Sequence, residues 1–283
     1  MSVSFSASEF HPAELQPPAI VFEHVRIGFA EGDVLRDVSF RAMPRETLVL
    51  LGETGSGKTL SLKMAAGLLK PSAGRVTVLG HHLESMREND LLDLRREIGF
   101  VFQEGALFDS MTVGENVAYR LREERADEDE IDSRVREALR FVELEHTLEM
   151  LPSELSGGMR RRVSIARALI NRPPIVLYDS PTAGLDPITS QTIITLVLRL
   201  RDIYGVTSLL ATHRLQDGFA LANFYFDADT RKVIRMSGAD GDASASGHAA
   251  TRFVVLREGL VYFEGGPDEL AGTSDSYLHR FLI

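Results

Sequence analysis

The sequence predicts an α/β protein in which a largely parallel sheet is assembled around a phosphate-binding loop. A strand, a glycine-rich loop and a helix follow one another between residues 47 and 69, which is the context that such a loop needs. Further apolar, β-rich runs then alternate with stretches of helical periodicity, and the middle of the chain carries helical periodicity alone. With 283 residues, the chain is long enough to bury a substantial core.

The composition is that of a soluble globular protein, with 44% hydrophobic and 25% charged residues. The formal net charge of −10 argues against a nucleic-acid-binding surface and against a broad basic face for anionic lipid. The lack of cysteine excludes disulfides and thiolate metal sites. No apolar run approaches the ~18 residues of a membrane span, and the N-terminus lacks the basic head of a signal peptide. We therefore expect a cytoplasmic protein that reaches a membrane only through a partner.

The first elements in order are a loose polar leader over residues 1–18 and three short strands. The strands are predicted for Ile20–Ile27, Val34–Phe40 and Thr47–Leu51. Turn formers separate them. The third run is wholly apolar after its first residue, as expected of a buried parallel strand.

The third strand leads into a G-x-x-x-x-G-K-T motif, the phosphate-binding P-loop. The predicted nucleotide-binding residues are Gly52, Glu53, Thr54, Gly55, Ser56, Gly57, Lys58, Thr59 and Leu60. The glycines let backbone N–H groups approach phosphate oxygens, and a helix from about Lys58 to Lys70 directs its positive dipole end at them. Lys58 adds a charge for the β- and γ-phosphates, and the Thr59 hydroxyl is placed to bind Mg²⁺. We interpret Glu53 as solvent-facing.

Two more predicted strands and a region of predicted helices follow. In order, the predictions are a strand over Arg75–Leu79, loop residues His81 and His82, a strand over Ile98–Phe102 before Gln103, and helices over Thr112–Leu121, Asp127–Leu144 and Ser156–Ile170. The two histidines have no metal-binding partner at a useful spacing. We interpret the charged run 122–130 as a solvated helix end and turn, and Arg160 and Arg161 as part of a solvated face.

The last part of the chain returns to alternating strands and helices. In order, we predict a strand over Ile175–Tyr178 that closes on Asp179, a helix over Pro187–Tyr204, a strand over Thr207–Ala211, a helix over Leu215–Ala222, a hairpin of Phe253–Leu256 and Leu260–Phe263, and a terminal helix from Asp268 to Leu282. The segment 237–250 is almost entirely Gly, Ala, Ser and Asp, so we expect a mobile insertion there.

Several short motifs follow the P-loop along the chain. They are Gln103, Leu155-Ser156-Gly157-Gly158-Met159, Ile175–Asp179, Ala183-Gly184-Leu185-Asp186 and Ala211-Thr212-His213. In order and spacing they resemble the Q-loop, signature, Walker B, D-loop and H-loop of ATP-binding-cassette (ABC) ATPases, over roughly residues 20–222 and the final hairpin. The resemblance implies a P-loop NTPase core of mixed and parallel sheet with an antiparallel β edge. It also implies an inserted α-helical subdomain at about 104–172, within a single domain at 19–283.

The signature motif stands at the start of a predicted helix, where a hydroxyl and free N–H groups suit a γ-phosphate. The resemblance implies that Ser156, Gly157 and Gly158 face the P-loop of a second copy, so that ATP is sandwiched in a head-to-tail dimer. An isolated LSGG is also a common helix N-cap. The same resemblance assigns Asp186, in the D-loop, to nucleotide binding.

The remaining site residues follow predicted strands. Asp179 is suited to hold Mg²⁺, or else to cap the next turn. By resemblance Gln103 contacts Mg²⁺ and the attacking water and His213 contacts the γ-phosphate, although both could be ordinary loop residues. Phe29 matches an aromatic that stacks on adenine in this family, or else belongs to the core. The predicted catalytic residues are Lys58, Gln103, Asp179, Ser180 and His213, and the predicted Mg²⁺ ligands are Thr59, Gln103 and Asp179.

One position departs from the family pattern, in which a glutamate follows the Walker B aspartate as general base. Here the pair is Asp179-Ser180. A serine hydroxyl cannot take up a proton near neutral pH, and the loss of a positioned base costs about 10²–10⁴-fold in rate. We therefore expect ATP binding and dimerisation with slow hydrolysis through Lys58, Mg²⁺ and His213. An engineered substitution that traps the ATP-bound dimer would have the same sequence.

A second departure is Met159, where the family usually has glutamine. Together with residues 105–113, it resembles the Mla-type branch, which serves phospholipid transport between the membranes of Gram-negative bacteria. This resemblance implies a separate integral membrane permease whose coupling helix docks around Gln103–Met111. It also implies a peripheral position on the inner face of the cytoplasmic membrane.

The motifs leave three classes of function to be weighed against one another. The first is the ATPase subunit of a membrane transporter, whose closure on ATP drives a permease. The second is a non-catalytic nucleotide-binding module that gates a complex by ATP-driven dimerisation, which Ser180 favours. A soluble cassette protein of DNA repair or translation is disfavoured, since the chain has no second cassette, coiled-coil insertion or basic face.

Overall fold

The computed structural model describes residues 17–30, 32–236 and 249–282. Only the last two residues of the predicted leader (1–18) and of the predicted insertion (237–250) fall within these ranges. Both predictions therefore lie outside the described residues and stay predictions.

Twelve strands are present in the described ranges. They are β1 (Ile20–Phe29), β2 (Gly32–Ala42), β3 (Thr47–Gly52), β4 (Ala73–Val78), β5 (His81–His82), β6 (Ile98–Val101), β7 (Ile175–Asp179), β8 (Thr207–Ala211), β9 (Phe224–Asp227), β10 (Lys232–Arg235), β11 (Thr251–Arg257) and β12 (Leu260–Gly265). Ten of them form one sheet in the order β5-β4-β1-β2-β12-β11-β3-β8-β7-β6, and β9 pairs with β10 in a separate hairpin.

The sheet has a parallel part and an antiparallel part. Strands β11, β3, β8, β7 and β6 run parallel to one another, whereas β5, β4, β1 and β2 pair antiparallel. β12 joins the two parts, because it is antiparallel to β11 and meets β2 at the parallel pair of Leu260 and Asp37. The predicted α/β fold with an antiparallel β edge is therefore confirmed.

Nine α-helices accompany the sheet in the same ranges. They are α1 (Lys58–Ala65), α2 (Glu88–Leu94), α3 (Val113–Glu123), α4 (Glu128–Phe141), α5 (Gly157–Leu169), α6 (Pro187–Tyr204), α7 (Leu215–Asn223), α8 (Pro267–Ala271) and α9 (Ser276–Leu282). None of these helices combines the length and the apolarity that crossing a bilayer demands.

The two faces of the sheet bury separate clusters of apolar side chains. Because side chains alternate along a strand, β3 sends Val49 and Leu51 to one face and Leu48 and Leu50 to the other. The first face packs against α3 to α7, and the second against α1, α2 and the antiparallel strands. β3 is thus buried on both sides, and the loop that follows it starts from a rigid strand.

Helices α3, α4 and α5 pack against one another within residues 104–172, where an inserted helical subdomain is predicted. Their starts follow from polar N-cap residues. Thr112 accepts a hydrogen bond from the Glu115 N–H while Glu115 accepts one from the Thr112 N–H, which is a capping box. Asp127 and Ser156 are the N-caps of α4 and α5, and the side chain of each accepts one hydrogen bond from a backbone N–H.

Some predicted elements differ from the structure. α1 ends at Ala65 rather than Lys70, because Gly67 takes a left-handed φ of 65° that closes the helix. His81 and His82 form a short edge strand and not a loop, since they pair with Val78 and Thr77. The predicted terminal helix is two helices, α8 and α9, and neither α2 nor the β9–β10 hairpin was predicted.

Candidate functional site

Several predicted site residues follow strands that end at one edge of the parallel sheet. β6 ends two residues before Gln103, β3 leads into the P-loop, β7 ends at Asp179, and β8 ends two residues before His213. These four strands are parallel and neighbouring, so their carboxyl ends lie on the same edge.

The backbone of the P-loop requires its glycines. Gly55 and Gly57 have φ values of 83° and 95°, which side chains strongly disfavour. At Gly52, a Cβ would lie 2.6 Å from the Leu256 carbonyl oxygen. Gly57 is also the N-cap of α1 and has no side chain to cap it, so the first turn presents backbone N–H groups at the loop. Such a cradle suits an anion.

Lys58 lies inside this loop with its ammonium group held by backbone carbonyls. Its Nζ donates to the carbonyl oxygens of Gly52 and Glu53, both at 2.8 Å, and lies 3.4 Å from Ser56 Oγ. The side chain is only 9% exposed. Burial lowers the pKa of the Lys58 ammonium, and the charge of Asp179 opposes that shift. The structure thus places a buried cation at the phosphate cradle.

The Thr59 hydroxyl and the Asp179 carboxylate come together from opposite ends of a long stretch of chain. Thr59 Oγ1 donates to Asp179 Oδ1 at 3.1 Å across 120 positions of sequence. Burial raises the pKa of the Asp179 carboxyl, while the Thr59 hydrogen bond and Lys58 act in the opposite direction. A hydroxyl and a carboxylate oxygen beside a phosphate cradle are the ligand types that Mg²⁺ takes at nucleotide sites, so the residues present fit the ion. Of the two roles predicted for Asp179, this contact with Thr59 favours that of a metal ligand.

No group of three or more His, Asp or Glu side chains in the described ranges is disposed to hold a metal ion. A Mg²⁺ site here would therefore be completed by phosphate oxygens and water rather than by a protein cage.

Ser180 follows Asp179 on a constrained backbone. Its φ is 47°, its N–H donates to the Ala211 carbonyl at 2.8 Å, and the residue is nearly buried. These contacts fix the direction in which any side chain at position 180 leaves the end of β7. His213 lies just beyond β8 with an exposed ring.

The signature segment begins α5. Ser156 Oγ accepts a hydrogen bond from the Met159 N–H at 3.2 Å, so the serine is an N-cap within its own chain. Ser156 and Gly157 are exposed, whereas Gly158 is buried against the Thr189 methyl group and leaves no room for a side chain. The exposed serine and glycine are available to a second molecule.

The D-loop aspartate is engaged within its own chain as well. Asp186 Oδ1 accepts hydrogen bonds from the N–H groups of Ile188 and Thr189, each at 3.0 Å, and so caps α6. The Thr189 hydroxyl also donates to Asp186. This hydrogen bond, followed by those from the backbone, lowers the pKa of the Asp186 carboxyl.

The other predicted site residues lie at the surface. Phe29 is 56% exposed, which excludes the alternative of a core aromatic. Glu53 is exposed, in agreement with its interpretation as solvent-facing. The remaining positions are exposed Thr54 and Gln103 and half-buried Ser56 and Leu60.

The interpretation of Arg161 as part of a solvated face is wrong. Arg161 is 6% exposed, and its Nη1 donates to the Phe102 carbonyl at 2.9 Å, directly before Gln103. Half-buried Arg160 likewise donates to the Leu155 carbonyl at 2.6 Å. Helical spacing alone does not reveal which arginines of a basic run face a neighbouring element. Burial lowers the pKa of Arg161, and the charges of Asp179 and Glu104 oppose this.

An open apolar groove of about 620 Å³ lies beside the Gln103 segment. Its lining includes Leu92, Phe100, Phe102, Phe108 and Tyr119. Phe108 and Tyr119 pack ring to ring with centroids 4.9 Å apart, yet both remain well exposed. An exposed patch of large apolar side chains favours a protein partner at this place.

Comparison with known proteins agrees with this geometry. A family described as ABC transporter matches residues 35–183, more than half of the chain. The methionine import ATP-binding protein MetN of Bifidobacterium longum is 36% identical over 208 residues, which are 71% of this chain and 52% of that protein. The spermidine/putrescine import ATP-binding protein PotA of Protochlamydia amoebophila is 38% identical over 204 residues, 72% of this chain and 53% of that protein. The chain thus spans about half the length of these relatives.

Solved structures also resemble the chain. One is an ATP-binding cassette in a dimeric, post-hydrolysis state bound to ADP and Pi, with a TM-score of 0.72 and 29% identity, covering 87% of this chain and 98% of the other. Another is CbiO1 of Clostridium perfringens, part of an ABC transporter complex, with a TM-score of 0.74 and 25% identity, covering 94% and 93%. The family predicted from the motifs, and with it the expectation of ATP and Mg²⁺, is confirmed, whereas the Mla-type branch is not supported by these relatives. The chain belongs to the ABC transporter family.

Proposed function

We propose that this chain is the ATP-binding and ATP-hydrolysing subunit of a membrane transporter, working as a dimer on a separate permease. The observation that carries the proposal is the meeting of Lys58, Thr59 and Asp179 at one point. A buried ammonium and a hydroxyl–carboxylate pair at 3.1 Å adjoin a loop of backbone donors. This combination serves a triphosphate with its magnesium ion.

Binding of ATP requires Lys58 to exchange partners. Its Nζ donates to two backbone carbonyls in the structure, and a phosphate oxygen offers a stronger, charge-assisted acceptor. Thr59 and Asp179 would hold Mg²⁺, which neutralises phosphate charge when bound. The Lys58 ammonium already lies beside the phosphate cradle, so this exchange of partners is local.

Hydrolysis by this site is slow in our proposal, since Ser180 stands where a general base would be needed. Gln103 and His213, which follow the two strands on either side of β7, orient the attacking water and contact the γ-phosphate. Phosphoryl transfer depends mostly on positioning and charge stabilisation, so the remaining groups support turnover at a reduced rate.

Two partners belong to this proposal. Exposed Ser156 and Gly157, with Gly158, contact the nucleotide held by a second copy, and Asp186 lies at the same interface. Phe29 stacks on the adenine. The apolar groove around Phe108 and Tyr119 receives a helix of the permease, which places the chain on the cytoplasmic face of the membrane.

Two finer hypotheses differ in the substrate that is transported. Met159 and the segment 105–113 support phospholipid transport, whereas the relatives MetN and PotA are named for import of methionine and of spermidine or putrescine. We propose the lipid hypothesis on Met159 and the segment 105–113. Turnover of the chain with its permease in liposomes decides between them: stimulation by phospholipid supports the first, and stimulation by a soluble nutrient with its binding protein supports the second.

The proposed nucleotide site is tested by Mg²⁺-ATP binding, measured by calorimetry, and by ATP-dependent dimerisation, measured by light scattering. Lys58→Ala should weaken binding by about 10- to 100-fold, since it removes a charge-assisted interaction of about 1.5–3 kcal/mol. The matched control is Lys70→Ala, the same substitution at an exposed lysine beyond α1, which should bind as wild type does.

The outcomes separate the competing functions. Equal ATP binding by the Lys58 and Lys70 variants would overturn the site. Binding and dimerisation without measurable turnover, even with the permease present, would favour the non-catalytic module that gates a complex.

A further inference from the structure

A buried cluster of polar side chains lies behind the proposed nucleotide site. We define the Asp217 cluster as Asp217, Thr182, Thr212 and Arg214. Asp217 is 4% exposed, and Thr182 and Thr212 are fully or almost fully buried. None of the four is among the predicted site residues.

The Asp217 carboxylate joins two separate segments of the site. Its Oδ2 accepts a short hydrogen bond from the Thr182 hydroxyl, 35 positions away in sequence. The same oxygen accepts from the Thr212 hydroxyl at 3.3 Å. Thr182 lies two residues after Ser180, and Thr212 directly precedes His213.

Arg214 closes the cluster into a ring. Its Nε lies 3.8 Å from Asp217 Oδ1, and its Nη1 approaches the Thr182 carbonyl at 3.4 Å and donates to Ser190 Oγ at 3.1 Å. The Arg214 N–H donates to Thr212 Oγ1 at 3.0 Å, so the threonine hydroxyl both donates and accepts. Every polar side chain of the cluster thus has a partner within it. Buried networks of this kind fix geometry when all members are satisfied.

We infer that Asp217 is a positioning residue for ATP hydrolysis, which holds the segment of Ser180 and Asp186 in register with His213. The inference rests on the proposed function, because it concerns the rate of the same site. Asp217 contacts neither end of the site directly. It acts through the hydroxyls of Thr182 and Thr212, each one or two residues from a predicted site residue.

The inference predicts a loss of turnover without a loss of ATP binding. A displacement of reacting groups by about 1 Å costs up to about 10²-fold in rate, whereas the P-loop contacts lie on a different strand and stay intact. Thr182→Val keeps the shape of the side chain and removes the hydroxyl, and we expect kcat to fall about tenfold with KM for ATP changed by less than threefold. Thr182→Ser retains the hydroxyl and should restore kcat to within twofold.

The chain carrying Ser180→Glu is the parent for these measurements, so that slow turnover does not hide the effect. A double-mutant cycle combines Thr182→Val with Asp217→Asn. If Thr182 acts through its contact with Asp217, the double variant loses no more than about threefold beyond the slower of the two single variants. The matched control is Asp202→Asn, which removes the charge of an equally buried carboxylate at the far end of α6. It should lower the Tm and leave kcat within twofold.

Three results would overturn the inference. These are kcat of Thr182→Val within twofold of the parent, a serine variant as slow as the valine variant, and additive losses in the double variant. If the Ser180→Glu parent turns over ATP no faster than its Lys58→Ala derivative, the proposed hydrolysis itself fails and the inference fails with it. Failure of the inference alone is seen when the parent is active and Thr182→Val is unaffected.

Discussion

Replacement of Ser180 by glutamate should speed up the slow hydrolysis that we propose for this site. The backbone at position 180 is held by the Ala211 carbonyl and has a φ of 47°, so a longer side chain leaves the end of β7 from a defined point beside Asp179. A positioned general base contributes about 10²–10⁴-fold, or about 2.7–5.4 kcal/mol of activation free energy. We therefore expect kcat of Ser180→Glu to rise at least a hundredfold.

The control for this experiment is Ser180→Gln. Glutamine has the size of glutamate and bears the same left-handed backbone strain, but its amide takes up no proton near neutral pH. Single-turnover hydrolysis of radiolabelled ATP should thus remain within about threefold of wild type in Ser180→Gln. The difference between the two variants isolates the base from the effects of volume.

The glutamate variant should also respond to pH. A carboxylate placed next to Asp179 in a nearly buried position has its pKa raised by burial and by the like charge. The base is active only when deprotonated, so turnover should rise with pH through that raised pKa and then level off. Equal rates for Ser180→Glu and Ser180→Gln, with ATP affinity and folding unchanged, would refute the assignment of position 180 as the site of the missing base.

Three further predictions follow from individual contacts. Arg161→Met removes the charge-assisted hydrogen bond to the Phe102 carbonyl and should lower the free energy of unfolding in urea by about 1.5–3 kcal/mol; a loss below about 0.5 kcal/mol would favour a solvated arginine. Burial raises the pKa of Asp179. On acidification, the affinity for Mg²⁺-ATP, measured by calorimetry, should therefore begin to fall at a higher pH than it would with a carboxylate of ordinary pKa. Asp179→Asn should abolish this pH dependence. Arg201→Met leaves the buried Asp202 without its cation and should cost about 3–5 kcal/mol in the same urea titration, whereas a loss below about 1 kcal/mol would mean that Asp202 is solvated.

Elements with strong local signals could be predicted from the sequence. The bounds of α6 were predicted to the residue, since Asp186 caps its start, Pro187 begins it and Gly205 ends it with a φ of 63°. The P-loop was predicted equally well, because its glycines serve backbone conformations that other residues disfavour. In both cases the cause lies within a few neighbouring residues.

Features that depend on distant contacts could not be predicted. α1 was predicted too long, because Leu68 and Leu69 are good helix formers and Gly67 alone did not mark the stop. The burial of Arg161 depends on a carbonyl 59 positions earlier, and the contact between Thr182 and Asp217 spans 35 positions. No periodicity in the sequence records which side chains meet across such separations.

The sheet order explains how position 180 can hold a serine while the architecture stays intact. Four adjacent parallel strands deliver Gln103, the P-loop, Asp179 and His213 to one edge, and this depends on backbone pairing and buried apolar side chains. Ser180 lies on that edge but contributes only its N–H to the pairing, so its side chain can vary without disturbing the strands. Nucleotide binding and dimerisation are therefore physically separable from the rate of hydrolysis in this fold. The proposed slow hydrolysis, with ATP binding and dimerisation retained, is compatible with that separation.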